Sequence, residues 1–393
     1  MTKKFKQQVL LGAAFLMATS AIGPGFLTQT ALFTSQLLAS CGAVIMISVI
    51  IDVFAQLNIW RIITVSGKKA SVLSNELLPG AGHVLTILIV LGGLAFNIGN
   101  ISGAGLGLNV LFGITVQQGA VISAFIAIIV FVVKEAGTVM DWFVKILGVL
   151  MIGLTLYIAI ITEPPMKEVV TNTIMPSKFS WTAVITLVGG TVGGYITFAG
   201  AHRLLDAGVL GEDALKFVSR SSITAILLAS AMRILLFLAA LGVVMKGYQL
   251  SSEDPASSVY EFAGGKFGLK IFGIVMWAAS ITSVVGSAYT SISFLKTLHP
   301  YMDRKRNWHI IFFILISAII FIQWGKPIVI LVWAGTINGF ILPVSLGLML
   351  LAANTKRLSA NYKHPLWLSV TGWLVVAVML FTSIKTLIEQ VTG

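Results

Sequence analysis

The sequence predicts an all-α integral membrane protein of eleven transmembrane helices, arranged as two inverted repeats of five helices each and one additional helix. Three observations predict it. Of 393 residues, 57% are apolar and only 10% are charged. A soluble domain carries roughly 25% charged residues to hydrate its surface, so a water-soluble enzyme is excluded. Apolar stretches of about 20 residues, the length that crosses a bilayer, recur along the whole chain. Two of them are interrupted halfway by residues that helices disfavour, and the interruptions stand five stretches apart.

Apolar runs bounded by polar or Gly/Pro clusters place the spans at residues 9–37, 40–62, 82–112, 117–133, 139–162, 181–202, 219–245, 268–295, 308–324, 327–352 and 366–388. The first repeat then occupies 1–162 and the second 181–352, with 366–388 as the added helix of one transmembrane domain covering 1–393. The opening Lys3, Lys4 and Lys6 before an apolar run resemble a secretory signal. That run, however, continues through Gly23-Pro24-Gly25 without a cleavage site and reads as the first span.

Lys and Arg in alternate connections and at the adjoining span ends number 18 on the N-terminal side and 7 on the other, and the remaining one, Arg233, lies deep within a span. The cation-rich side is the cytoplasmic one. The N-terminus of a multi-pass plasma-membrane protein is therefore expected in the cytoplasm and the C-terminus outside. The net charge of +12 is accounted for by this topology. There is no basic stripe interleaved with aromatics, so nucleic acid is not an expected partner, whereas the lipid bilayer is. Trp60, Trp142, Trp308 and Trp324 fall near span ends, where interfacial anchoring explains them. The single Cys41 excludes a disulfide framework and any site built on paired cysteines. No phosphate-binding GxxxxGK[ST] loop, HExxH helix or GxSxG turn occurs, so neither ATP-driven transport nor an enzyme is expected and no cofactor is implied.

The two interruptions carry the functional expectation. The first reads Ser20-Ala21-Ile22-Gly23-Pro24-Gly25-Phe26, and the second Gly189-Gly190-Thr191-Val192-Gly193-Gly194-Tyr195. Pro24 lacks a backbone donor and clashes with the preceding turn, and the glycines open non-helical backbone. Backbone that leaves the helix at mid-membrane survives only where protein, water or a solute satisfies it. Matched breaks in corresponding spans are the mark of an inverted-repeat secondary transporter with its site at the breaks; the alternative is that the glycines only permit close helix packing. Candidate solute-binding residues are Gly23, Pro24, Gly25, Thr28, Gln29, Gly193, Gly194, Tyr195 and Thr197, with Asn97 of the third span beside them. Asn100 and Asn109 share that span, and Asn or Thr bonding a neighbouring helix is the ordinary alternative for each of these polar residues.

Two formal charges lie deep in apolar runs, Arg233 in the seventh span and Asp52 in the second. An intramembrane Arg costs about 2.5–3.5 kcal/mol on insertion scales, so it must face a cavity or a partner. Arg233 either attracts a carboxylate solute or pairs with Asp52; Asp52 is the candidate coupling-ion residue. His202, followed by Arg203 and Asp206, reads as a polar helix end at the cytoplasmic interface.

At the two breaks the chain resembles the Nramp family of proton-coupled divalent-metal transporters, and the likeness runs through most of its length. Gly23-Pro24-Gly25-Phe26 falls where that family has Asp-Pro-Gly-Asn, and Gly189 to Tyr195 falls where it has Gly-Ala-Thr-Val-Met-Pro-His. The stretch from Leu106 to Ile114 is similar to the end of the family's third span, and Gln56 stands where its second span carries Gln. The resemblance implies the LeuT-type fold with eleven spans. It also implies a metal site at the positions held here by Gly23, Phe26 and Gly193, and proton handling at Tyr195 and along Phe96-Asn97-Ile98-Gly99-Asn100. None of these side chains supplies the anionic or soft ligands a divalent cation needs at mid-membrane. The scaffold is thus expected without the metal site.

With Arg233 and two half-helix N-termini, the core favours negative charge. The expected solute is a small organic acid, amino-acid-like or 5-oxoproline-like, as relatives of this branch imply, moved by alternating access with a coupling ion, H+ or Na+. One alternative is a divalent metal bound by backbone carbonyls, Gln29 and the Tyr195 hydroxyl. The other is a membrane sensor that kept the fold without transporting.

Overall fold

Spans made of unbroken apolar residues close their own backbone hydrogen bonds, so in lipid they have no alternative to the helix. The computed structural model describes residues 22–295, 304–355 and 362–392, and every regular element in them is helical. In chain order these are α1 (Pro24–Leu37), α2 (Cys41–Ser66), α3 (Ala70–Leu77), α4 (Ala81–Phe112), α5 (Val116–Val132), α6 (Lys134–Ile161), α7 (Met166–Ile174), α8 (Trp181–Thr191), α9 (Tyr195–Asp206), α10 (Leu215–Met245), α11 (Pro255–Leu295), α12 (Arg306–Trp324), α13 (Pro327–Ala353) and α14 (Leu366–Thr392).

Among the described residues, eight helical stretches are long and apolar enough to cross a membrane, or nine if α6 and α7, bent by 105°, form one span. One stretch, Pro24–Ser66, joins α1 to α2 through a tight turn at Leu38–Ser40, and another, Trp181–Asp206, joins α8 to α9. With the shorter apolar α5, each of the eleven predicted spans falls on a helix. The first does so from Pro24 onward, and its residues 9–21 lie outside the described residues.

The structure departs from the predicted boundaries in three places. The short helices α3 and α7 occupy stretches expected to be connections. Helix α11 begins at Pro255 rather than near residue 268, because Asp254 accepts a hydrogen bond from the Ser257 amide at 3.1 Å and Pro255 presets the first turn. Gly265, in the connection expected between residues 245 and 268, is instead a bend inside this helix, at φ 54°.

Helices α4, α11, α2, α10 and α13 surround α1 and α8, so the second break and the described part of the first lie at the centre of the bundle. Small residues let α8 and α13 touch backbone to backbone; a Cβ on Gly189 would lie 1.9 Å from the Gly335 carbonyl oxygen.

The segment before α14 is tied to α2 by His364. Its Nε2 lies 2.8 Å from Asn58 Oδ1 and its Nδ1 lies 3.0 Å from the Tyr362 hydroxyl. Asn58 Nδ2 donates to the Phe54 carbonyl, so Oδ1 faces the imidazole, Nε2 donates, and Nδ1 accepts from Tyr362. This arrangement needs the neutral ring. Burial, with the Arg61 charge adding to it, lowers His364 to about 4. An unfolded His titrates near 6.5, so between these values the unfolded chain binds the extra proton. The contribution of this tie is complete above about pH 6.5 and is lost as pH falls toward about 4. The thermal unfolding midpoint is expected to fall on acidification from pH 7 to pH 4.5, and a scan of His364→Gln should show a smaller fall.

Candidate site at the two helix breaks

The second break is complete in the structure. Helix α8 stops at Thr191, the amides of Val192 and Gly193 close back on the Val188 carbonyl, and α9 restarts at Tyr195. The connecting Gly194 has φ 45° and ψ −113°, a conformation that side-chain-bearing residues avoid. Asn338 of α13 fills the gap this creates. Its Oδ1 accepts from the Tyr195 amide at 3.4 Å, while its Nδ2 donates to the carbonyls of Gly92 and Ala334, each at 2.9 Å. A Cβ on Gly194 would stand 1.8 Å from Asn338 Oδ1, so glycine is required here twice over.

Thr197 belongs to the same closure. Its hydroxyl donates to the Val192 carbonyl at 2.7 Å, and its own carbonyl accepts from Trp60 Nε1 at 3.0 Å. Expected to contact solute, it instead satisfies backbone freed by the break. Tyr195 packs edge-on against Phe96, centroids 5.3 Å apart, with its hydroxyl beside Ser287 of α11.

At the first break Gly23 is extended, Pro24 occupies the first helical position, and no side chain caps α1 among the described residues. Ser20 and Ala21 of the predicted break lie outside the described residues. Gln29, one turn beyond Gly25, donates from Nε2 to the Leu331 carbonyl of α13 at 2.7 Å. Among the described residues its Oε1 has no partner, and it faces Gly190 of α8. The buried Thr28 hydroxyl is likewise unpartnered. Asn97 donates to the Val284 carbonyl at 3.3 Å, and among the described residues its Oδ1 and the Nδ2 of Asn100 have no partner. Buried polar atoms are nearly always bonded, and among the described residues these are not.

Arg233 sits between the breaks at 1% exposure. Its guanidinium lies over the Phe26 ring of α1 at 4.3 Å, and Nη1 reaches the Leu187 carbonyl of α8 at 3.4 Å. The remaining nitrogens, Nε and Nη2, have no partner among the described residues. They form one edge of the planar group and project parallel donors, the fork that grips a carboxylate with two bonds. Asp52 of α2 is equally buried, and among the described residues neither oxygen has a hydrogen-bond partner, although the Thr191 side chain lies beside it. It and Arg233 feel each other's charge, yet no ion pair within 4 Å joins them. Arg233 thus contacts the broken helices α1 and α8 and makes no ion pair with Asp52.

His202, expected as a solvated helix end, is 5% exposed. Its Nε2 accepts from the Ala70 amide at 3.3 Å and its ring stacks on Phe294 at 4.5 Å. The sequence reading missed Asn338 and the role of Phe26 as the ring beneath Arg233. The signal for Asn338 was a lone amide in the apolar run Thr336-Ile337-Asn338-Gly339.

The profile of the natural resistance-associated macrophage protein-like family, Nramp, matches residues 14–389. The chain belongs to the Nramp family. It is a membrane transporter of that family with a LeuT-type fold. It is 58% identical over 97% of its length to the uncharacterized membrane protein YcsG of Bacillus subtilis, covering 95% of that protein. It is 56% identical over 99% of its length to an uncharacterized membrane protein of Haemophilus influenzae, covering 98% of it. The divalent metal cation transporter MntH of Agrobacterium fabrum is 22% identical over 98% of this Nramp chain and 88% of its own. Among solved structures, a mutant form of the manganese transporter of Eremococcus coleocola superposes with a TM-score of 0.75 at 16% identity, over 100% of this chain and 89% of that one. MhsT in complex with L-phenylalanine superposes at 0.68 and 14% identity, over 95% and 98%.

Proposed function

We propose that this Nramp-family transporter moves a small carboxylate-bearing organic solute, amino-acid-like or 5-oxoproline-like, by alternating access through the two helix breaks. The observation that carries the reading is the buried Arg233, whose Nε–Nη2 edge has no partner among the described residues while its face rests on Phe26. Phe26 and Gly23 hold positions at which the family resemblance implies metal ligands, and a fixed guanidinium against that ring repels a divalent cation. Among the described residues no three His, Cys, Asp or Glu side chains converge to hold a metal ion. A solute carboxylate would take Nε and Nη2 of Arg233. The remaining polar body would meet Thr28, Gln29 Oε1 and Asn97 Oδ1, near Tyr195 and the backbone of Gly23, Pro24, Gly25, Gly193 and Gly194. The protein would lie in the plasma membrane with its N-terminus cytoplasmic, its chain divided into repeats at 1–162 and 181–352.

A second reading, transport of a divalent metal, draws on the metal and manganese transport named for MntH and for the Eremococcus protein. Gln29 Oε1, the Tyr195 hydroxyl and backbone carbonyls would be its ligands. Thermal unfolding of the purified protein separates the two readings, because a ligand at 100 times its Kd stabilises the folded state by about 2.7 kcal/mol. 5-Oxoproline and small amino acids at millimolar concentration should raise the midpoint while Mn2+ does not. Stabilisation by Mn2+ and by no organic acid would replace the first reading with the second.

A further inference from the structure

Gln29 joins three helices at one point. Its Nε2 donates to the Leu331 carbonyl of α13 at 2.7 Å. A Cβ on Gly335 of α13 would stand 2.6 Å from Nε2, one on Gly25 of α1 3.4 Å from it, and one on Gly190 of α8 2.6 Å from Oε1. The amide therefore fills the junction of α1, α8 and α13, which admits it only because Gly190 and Gly335 have no side chains. Where α8 and α13 cross, the Thr186 and Thr336 hydroxyls also bond each other at 2.7 Å. The bond to Leu331 uses Nε2, so the other end of the amide, Oε1, is presented purely as an acceptor. It is fully buried, and among the described residues it has no donor.

Oε1 lies within a small molecule's length of Arg233. The guanidinium rests on Phe26 at 4.3 Å and reaches the Leu187 carbonyl at 3.4 Å. Gln29 follows Phe26 on α1, and Gly190 follows Leu187 on α8, each by three residues. Such a step advances a helix by about 4.5 Å and returns to nearly the same face. The fork of Arg233 and the acceptor of Gln29 thus occupy neighbouring turns of the same two broken helices.

We infer that Gln29 is a specificity-determining residue that ties recognition to closure: Oε1 accepts a hydrogen bond from an N–H or O–H of the solute while Nε2 holds α13 over the site. The inference rests on the carboxylate reading above and adds a requirement to it, that the transported acid carry a donor close to its carboxylate. The physical reason is the cost of a dry acceptor. With α13 against α1 and α8, Oε1 is sealed from water, and a buried polar atom without a partner opposes that arrangement. A solute donor at Oε1 removes the opposition, so the solute shifts the junction toward closure by its preference for the closed form. An acid lacking the donor can occupy Arg233 but leaves Oε1 unpaired, and closes the junction less.

The test uses the full-length protein and two probes of one shape, 5-oxoproline and its analogue with oxygen in place of the ring N–H. The native protein should bind 5-oxoproline at least about tenfold more tightly than the analogue, and Gln29→Leu should bind the two equally. Leu331→Cys, in a Cys41→Ala background, places a thiol in the junction and keeps the carbonyl that Gln29 holds. Its labelling by a water-soluble methanethiosulfonate should slow at saturating 5-oxoproline and slow less at saturating analogue. The native affinity ratio and this labelling leave Gln29 untouched, so they decide the matter even if Gln29→Leu folds poorly. Equal native affinity for the two acids, equal protection by them, or a preference that survives in folded Gln29→Leu would overturn the inference and leave the carboxylate reading standing. Binding of Mn2+ and of neither acid would overturn both.

Discussion

Arg233→Gln is expected to weaken solute binding by at least about 2 kcal/mol, roughly thirtyfold, since truncating one partner of a buried charged pair costs about 2–5 kcal/mol. The planar edge formed by Nε and Nη2 is what the variant removes. Arg233→Lys keeps the charge but offers a single ammonium in place of a fork, and should recover only part of the affinity. Removing the cation also strands Asp52 in apolar surroundings, which lowers stability rather than binding. The double variant Arg233→Gln with Asp52→Asn separates the effects, because it neutralises both buried charges. Its thermal stability should approach that of the native protein, while solute binding, read by thermal shift or equilibrium dialysis, should remain lost.

The second large effect is expected at Gly194. Alanine there must adopt φ 45° and ψ −113° and places its Cβ 1.8 Å from Asn338 Oδ1. Backbone strain of this kind costs about 1–3 kcal/mol. Pushing Asn338 aside also strands the Tyr195 amide, worth about 1–3 kcal/mol when left unsatisfied in the interior. Gly194→Ala should therefore lower stability by several kcal/mol and abolish solute binding. Gly247→Ala is the control, since Gly247 also has positive φ but nothing lies within 4 Å of its would-be Cβ. It should cost about 1 kcal/mol or less, from backbone alone. Combining Gly194→Ala with Asn338→Ser should return part of the loss, as expected for two sites in contact. Thermal unfolding and the monodisperse fraction by size exclusion measure all of these effects.

Much of this architecture was legible because the bilayer leaves so few options. Long apolar runs had to be helices, and Gly23-Pro24-Gly25 and the glycine cluster at 189–194 marked where helices start or stop within two of them, at Pro24 and between Thr191 and Tyr195. Boundaries were lost where two signals competed. At α11 the expected span began at residue 268, whereas the helix starts at Pro255 and bends at Gly265, because a bend and a connection use the same residues. The site was legible in its charges and breaks but not in its closure. Asn338 looks like any amide bonding a neighbouring helix until α13 is seen to lie against the Gly194 turn. Thr197 was misjudged for the converse reason. A hydroxyl beside a break reads as a ligand, whereas its nearest need was the Val192 carbonyl that the break had released. Whether Arg233 and Asp52 meet depends on how α2 and α10 pack across 181 positions of sequence, which no local pattern encodes.

The helix breaks are proposed to cradle an organic anion on Arg233 rather than a metal ion. Side-by-side uptake of radiolabelled 5-oxoproline and of manganese into the same batch of proteoliposomes tests this most directly. Concentrative, Arg233-dependent uptake of the acid is the expected result, with manganese entering no faster than into protein-free vesicles. Manganese uptake that survives Arg233→Gln, alongside no uptake of the acid, would contradict it.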